Sequence, residues 1–156
     1  MSGFKFLKVG DQAPNFVAKN QTGEKISSTD FKGKKWVLYF YPKDQTPGCI
    51  AQACNIRDNY QELLDRGIEI IGVSADGQVS HQKFIEKQQI PFPLIADEDK
   101  AVIKAFGVWG EKKFMGKVYD GIHRTTFIMN EQNEIIGIIE KPKTKAHTEE
   151  ILEFFK

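Results

Sequence analysis

An α/β fold, with a mixed central β-sheet flanked by helices and preceded by an N-terminal extension, is what this sequence predicts. Three patterns carry that expectation. Residues 36–41 form a short apolar run that is continuous rather than alternating, as strands buried on both faces are, and residues 68–74 (IEIIGVS) read as a second buried strand. Each is followed by a stretch with helical spacing, and strand–helix–strand–helix alternation implies parallel pairing. Late in the chain two further strands flank Asn130-Glu-Gln-Asn133, which reads as an antiparallel hairpin.

The elements follow in order. Residues 10–16 (GDQAPNF) form an irregular lead-in, extended ahead of Pro14. Residues 20–23 (NQTG) read as a turn, with a cap signal at Ser27 to Asp30. The strand at 36–41 ends at Pro42. A helix over 47–66 is bounded by Thr46 as N-cap, Pro47 at the first helical position and Gly67 as the stop. Ala53, Ile56, Tyr60, Leu63 and Leu64 recur along it at helical spacing. After the strand at 68–74, a second helix is expected over 79–89, a short strand over 92–95 and a short helix over 97–106. Residues 107–124 carry four glycines and little periodicity, and read as an irregular wall of a site. Strands at 123–129 and 134–140 and an amphipathic helix over 143–156, with Ile151, Leu152 and Phe155 on one side, complete the chain. This order, βαβα then ββα, is that of a thioredoxin-like fold.

Composition narrows the function. The 156 residues fit one domain, and 40% hydrophobic residues supply a sizeable core. Lys plus Arg number 22 against 21 for Asp plus Glu, so no charge imbalance argues for nucleic acid or an anionic membrane. The longest apolar run has six residues, too few to span a bilayer. The first eight residues hold no stretch long enough for a secretory signal. A cytoplasmic protein is expected.

The chain has two cysteines, Cys49 and Cys54. So small a number makes no disulfide framework, and in a reducing compartment the pair reads as catalytic, redox-sensing, metal-binding or structural. Capped by Thr46, the helix would hold Cys49 in its first turn, where unpaired N–H groups and the positive dipole end stabilise a thiolate. The preceding strand brings the sulfur to the C-terminal edge of the sheet, where open α/β folds bind ligands. That is a nucleophile's position; a small buried hydrophobe and a metal ligand are the alternatives.

The segments GDQAPNF (10–16), DFKGK (30–34), YFYPKDQTPGC (39–49), IIGVSAD (70–76), FPLIADED (92–99) and GVWGEKKFMGKVYDGIHRTTF (107–127) together resemble peroxiredoxins of the bacterioferritin-comigratory type, also called peroxiredoxin Q. The family's Pro-x-x-x-Thr-x-x-Cys motif falls on Pro42, Thr46 and Cys49, and its distant active-site arginine on Arg124. The resemblance implies reduction of hydroperoxides by a thiol, with no metal and no organic cofactor. Cys49 would attack one peroxide oxygen and become a sulfenic acid. Arg124 would hold the thiolate and the developing charge, Thr46 would orient the peroxide, and Pro42 would shield the pocket. Position 52, often Glu in relatives, is Gln here, so any contact orienting the arginine must be neutral.

Cys54 matches the subgroup's resolving cysteine, which would close a disulfide with Cys49 for thioredoxin or a similar dithiol to reduce. Five residues along an α-helix separate Cα atoms by about 8.6 Å, beyond the roughly 4.4–6.8 Å a disulfide tolerates. Resolution therefore requires the helix start to unwind. A one-cysteine peroxidase with Cys54 structural, a non-catalytic redox sensor and a dithiol–disulfide oxidoreductase are the competing readings; the last lacks its C-x-x-C motif. A monomer is expected. His81, His123 and His147 are scattered without zinc spacing, His123 reading as an ordinary hydrogen-bonding residue. Lys34-Lys35 and Lys112-Lys113 read as solvated charges.

Overall fold

The computed structural model describes residues 7–156. The first six residues of the segment read for a secretory signal lie outside that range. Among the described residues no helix is long and apolar enough to cross a membrane.

The chain opens with a small antiparallel pair, β1 (Val17–Lys19) and β2 (Lys25–Ser27). A single 3-10 turn follows, closed by a capping box between Ser27 and Asp30. Strand β3 (Lys35–Phe40) leads into α1 (Pro47–Asp58) and α2 (Tyr60–Asp65). Then come β4 (Ile68–Ser74), α3 (Gln78–Gln88), β5 (Leu94–Ala96) and α4 (Ala101–Ala105). Strands β6 (Trp109–Phe114) and β7 (Lys117–Ile122) pair with each other; β8 (Thr125–Met129), β9 (Ile135–Ile139) and α5 (His147–Leu152) complete the fold.

The central sheet has the order β5-β4-β3-β8-β9. Strands β3, β4 and β5 run parallel, while β8 is antiparallel to both β3 and β9. The sheet is mixed, as the sequence predicts. Its centre is β3, because that run is apolar on both faces. Trp36, Leu38 and Phe40 pack into one core with Phe106 and Phe127, whereas Val37, Tyr39 and Tyr41 pack into another with Ala53, Ile56 and Phe84. Burying each such side chain is worth about 1.5–3 kcal/mol, so a register slip that turned any of them outward would be heavily penalised.

The structure departs from the sequence reading in three places. The expected 47–66 helix is two helices, because Asn59 Nδ2 donates to the Asn55 carbonyl at 2.8 Å while the Asn59 backbone N–H turns to Ile56. Residues 107–124 are no irregular wall but the β6–β7 hairpin, turning through Met115 and Gly116, both at positive φ. The C-terminal helix is shorter than 143–156, ending in a 3-10 turn over Glu153–Phe155.

Candidate active site

Beyond β3 the chain crosses the C-terminal edge of the sheet on a loop with a buried anchor. Tyr41 Oη donates to Asp44 Oδ1 at 2.6 Å, and Ser80 Oγ donates to Asp44 Oδ2 at 2.8 Å. His81 Nδ1 lies 2.7 Å from that second oxygen, with its Nε2 2.9 Å from the Ile95 carbonyl. The Asp44 backbone N–H donates to Asp76 Oδ2, which also accepts from Ser74 Oγ. Burial, and behind it Tyr39 and the Asp44 carboxylate, holds the Tyr41 phenol well above its ordinary pKa, so it stays a donor. Asp44, Asp76 and His81 bring ligand atoms within 4.8 Å of one another, but this hydrogen-bond network already accounts for those atoms.

Gln45, at φ 63°, then turns the chain into α1. Thr46 stands at the N-cap with an extended backbone, yet its side chain makes no cap. The expected capping bond is absent because the hydroxyl donates backwards, to the Lys43 carbonyl at 2.9 Å. Pro47 has no N–H, and the N-cap side chain bonds none of the first-turn amides that remain at the positive helix end.

Cys49 lies in that first turn, buried. Arg124 reaches it from the segment between β7 and β8. Its Nη2 donates to Cys49 Sγ at 3.3 Å, and its Nη1 donates to Gln52 Oε1 at 2.7 Å. The guanidinium also passes so close to Gly48 that a Cβ there would meet Nη2 at 3.1 Å. Gly48 therefore admits the arginine, a role its place in the motif did not disclose. Gln52 supplies the neutral contact that the sequence required.

Two buried polar atoms on this side of the sheet, Tyr39 Oη and Gln52 Nε2, have no hydrogen-bond partner among the described residues. Burial first, then the Cys49 charge, raises the Tyr39 phenol well above its ordinary pKa, with Arg124 acting against them.

The remaining sequence candidates fall around this centre. Pro42, half-buried, lies two residues past the end of β3 and contributes a ring without a donor. Cys54 is half-buried on the same helix as Cys49, its Sγ donating to Gln88 Oε1 at 3.6 Å, and both cysteines are free thiols. His123 Nε2 lies 2.9 Å from the Glu111 carbonyl. The ring lines a cavity of about 290 Å³ with Phe106, Val108 and Phe127, in the core on the other face of the sheet from Cys49. His147 is buried between Thr126 Oγ1 and Glu150 Oε1, at 2.8 and 3.0 Å. Lys113 is exposed as expected, but Lys112 is half-buried and donates to the Ile122 carbonyl, so it is no freely solvated charge. The Asp44 network was missed, because all its partners but Tyr41 lie 32 to 37 residues away in sequence.

The family model described as AhpC/TSA matches residues 9–138. A protein named putative peroxiredoxin bcp from Haemophilus influenzae is 47% identical over 150 residues, covering 96% of this chain and 97% of that one. Peroxiredoxin Bcp of Bacillus subtilis is 43% identical, covering 96% of each. Among solved structures, a cysteine-to-serine mutant of Xylella fastidiosa PrxQ superposes with a TM-score of 0.90 at 30% identity, over 97% of this chain and 96% of that one. Xanthomonas campestris peroxiredoxin Q superposes at 0.83 with 34% identity, over 88% and 87%.

Proposed function

The chain belongs to the AhpC/TSA family, as a thiol-dependent peroxidase of the Bcp and PrxQ peroxiredoxins, and from that premise we propose that its cycle runs through Cys49 and Cys54. The observation that carries the reading is the Arg124 guanidinium, fixed by Gln52 and held 3.3 Å from Cys49 Sγ at a helix start.

In this reading Cys49 Sγ, as thiolate, attacks the nearer oxygen of a hydroperoxide. An S–O bond forms as the O–O bond breaks, the sulfur loses two electrons, and the departing oxygen leaves as water or an alcohol after taking a proton. Arg124 favours the thiolate and offers N–H donors to the oxygen on which charge develops. Thr46, its proton committed to the Lys43 carbonyl, presents lone pairs to the hydroperoxide O–H. Pro42 closes the loop side against water.

Cys54 then attacks the Cys49 sulfenic acid, forming the disulfide and releasing water. A dithiol reductant of the thioredoxin kind returns both cysteines to thiols. Because α1 is continuous from Pro47 to Asp58, its first turns must unwind before the sulfurs meet. The protein works as a monomer in the cytoplasm.

Hydrogen peroxide consumption coupled to thioredoxin, its reductase and NADPH tests this. Multiple turnovers by the parent and none by Cys49→Ser are expected. Stoichiometric oxidation without turnover would favour a redox sensor. Turnover that survives Cys54→Ser undiminished would favour a one-cysteine enzyme.

A further inference from the structure

Cys49 and Gln52 stand three residues apart on α1, which makes them neighbours on one face of the helix. Both are buried, and one guanidinium holds both. Arg124 Nη2 donates to Cys49 Sγ at 3.3 Å while Nη1 donates to Gln52 Oε1 at 2.7 Å. The planar fork therefore sets the sulfur and the amide side by side.

That contact also fixes which end of the amide is used. A guanidinium has donors and no acceptor, so the oxygen of Gln52 must face Arg124 and the nitrogen is left over. Gln52 Nε2 is buried and has no hydrogen-bond partner among the described residues, the Cys49 thiol included. A glutamate would offer Arg124 the same acceptor without stranding a donor, and an apolar side chain would desolvate no polar group. Orienting the arginine thus explains Oε1 and leaves Nε2 unexplained. What Nε2 lacks is an acceptor, and oxidation of the neighbouring sulfur would bring one.

We propose that Gln52 is a further catalytic residue, whose Nε2 donates to the oxygen that Cys49 takes from the hydroperoxide and holds the product as the sulfenate anion. The proposal rests on Cys49 being the reacting thiol. As the S–O bond forms and the O–O bond breaks, the sulfur-bound oxygen becomes an acceptor beside a free donor; the proton of the sulfenic acid is released to solvent. Because the bond is absent before oxidation and present after it, it favours the oxidised sulfur without also stabilising the thiolate. Hydrogen bonds to an ionised oxygen are stronger than neutral ones, so the anion gains more than the acid.

The test uses the full chain carrying Cys54→Ser, in which the Cys49 sulfenic acid is not resolved, and a second addition of hydrogen peroxide. The sulfenate attacks that peroxide: another S–O bond forms, the O–O bond breaks, and hydroxide leaves as the sulfinate appears. The rate of this step against pH, followed by peptide mass, gives the midpoint of sulfenic acid ionisation. Gln52→Met should raise the midpoint by about one pH unit, an about tenfold loss of sulfenate. The same shift should persist when Arg124→Met is already present. A midpoint that does not move would overturn the proposal. So would a shift that vanishes without Arg124, since Gln52 would then act only through the arginine. A second reading needs no change in packing: with Gln52 intact, its side-chain amide signals in heteronuclear NMR should move downfield through the same midpoint, and signals that ignore it would overturn the proposal. Should Cys49 take up no oxygen at all, the peroxidase reading falls and this proposal with it, whereas normal oxidation with an unmoved midpoint sinks the proposal alone.

Discussion

The two ends of the segment carrying Cys49 are held by different means. At its start, Asp44 is buried and takes hydrogen bonds from Tyr41, Ser80 and its own neighbour network, with His81 on the same oxygen. At its end, the first turn of α1 has an N-cap whose side chain caps none of its amides, a non-glycine residue at positive φ just before it, and Gln52 Nε2 without a hydrogen-bond partner among the described residues. Further along, Asn55 again fastens the helix, accepting from the Thr148 backbone and donating to the Lys145 carbonyl. A weakly held turn thus lies between two fixed points. In the proposed cycle that difference places the expected opening between Thr46 and Asn55, the span that contains both cysteines.

The largest effect is expected where the two ends meet the chemistry. Arg124→Lys keeps a charge but loses the planar fork that reaches Cys49 and Gln52 together, so the second-order peroxide rate should fall about 100-fold. Stopped-flow oxidation of Cys49 measures it, with circular dichroism confirming an intact fold.

Breaking the anchored end should cost stability more than rate. Asp44→Asn leaves buried donors from Ser80 or His81 without an acceptor, at about 2 kcal/mol, or roughly 4–8 °C in Tm. Thermal unfolding should show that loss. The weak end should behave in the opposite way: Thr46→Ala should barely move Tm while slowing peroxide reduction about five- to tenfold, and Thr46→Ser should restore the rate.

The smallest effect concerns α5, which braces the far side of α1. Burial holds the His147 pKa below its ordinary value, opposed by Glu150 and aided by Arg124. The unfolded chain therefore binds a proton near pH 6.5 that the folded chain refuses, and stability falls as pH drops below that value. The loss should not exceed about 1.4 kcal/mol per pH unit, and His147→Gln should flatten it. Chemical denaturation at pH 7.5 and 5.5 measures both.

The legible parts of the fold are those whose burial is symmetrical. Strands β3 and β4 are buried on both faces along nearly their whole length, so their largely apolar sequences could be read directly. The β6–β7 hairpin could not be read, since Glu111, Lys113, Phe114, Lys117 and Val118 are all exposed and no alternation marks a core face. Its turn also places Met115, not Asn or Asp, at positive φ before Gly116, which hides the usual hairpin signal. At the site, Cys49 and Arg124 followed from the family's motifs, 75 residues apart in sequence and 3.3 Å apart in space. The Asp44 anchor and the burial of Lys112 have no local pattern; both arise from tertiary contacts that periodicity does not encode.

Peptide-level amide exchange, read on the peroxide-oxidised and the reduced protein, tests the releasable turn most directly. On oxidation, amides between residues 47 and 54 should lose protection while those around Asp44 and in β3 keep theirs. The change should reverse with a dithiol, be absent in Cys54→Ser, and coincide with a Cys49–Cys54 linkage within one chain. An oxidised protein whose α1 start stays fully protected, or whose disulfide joins two chains, would contradict the account.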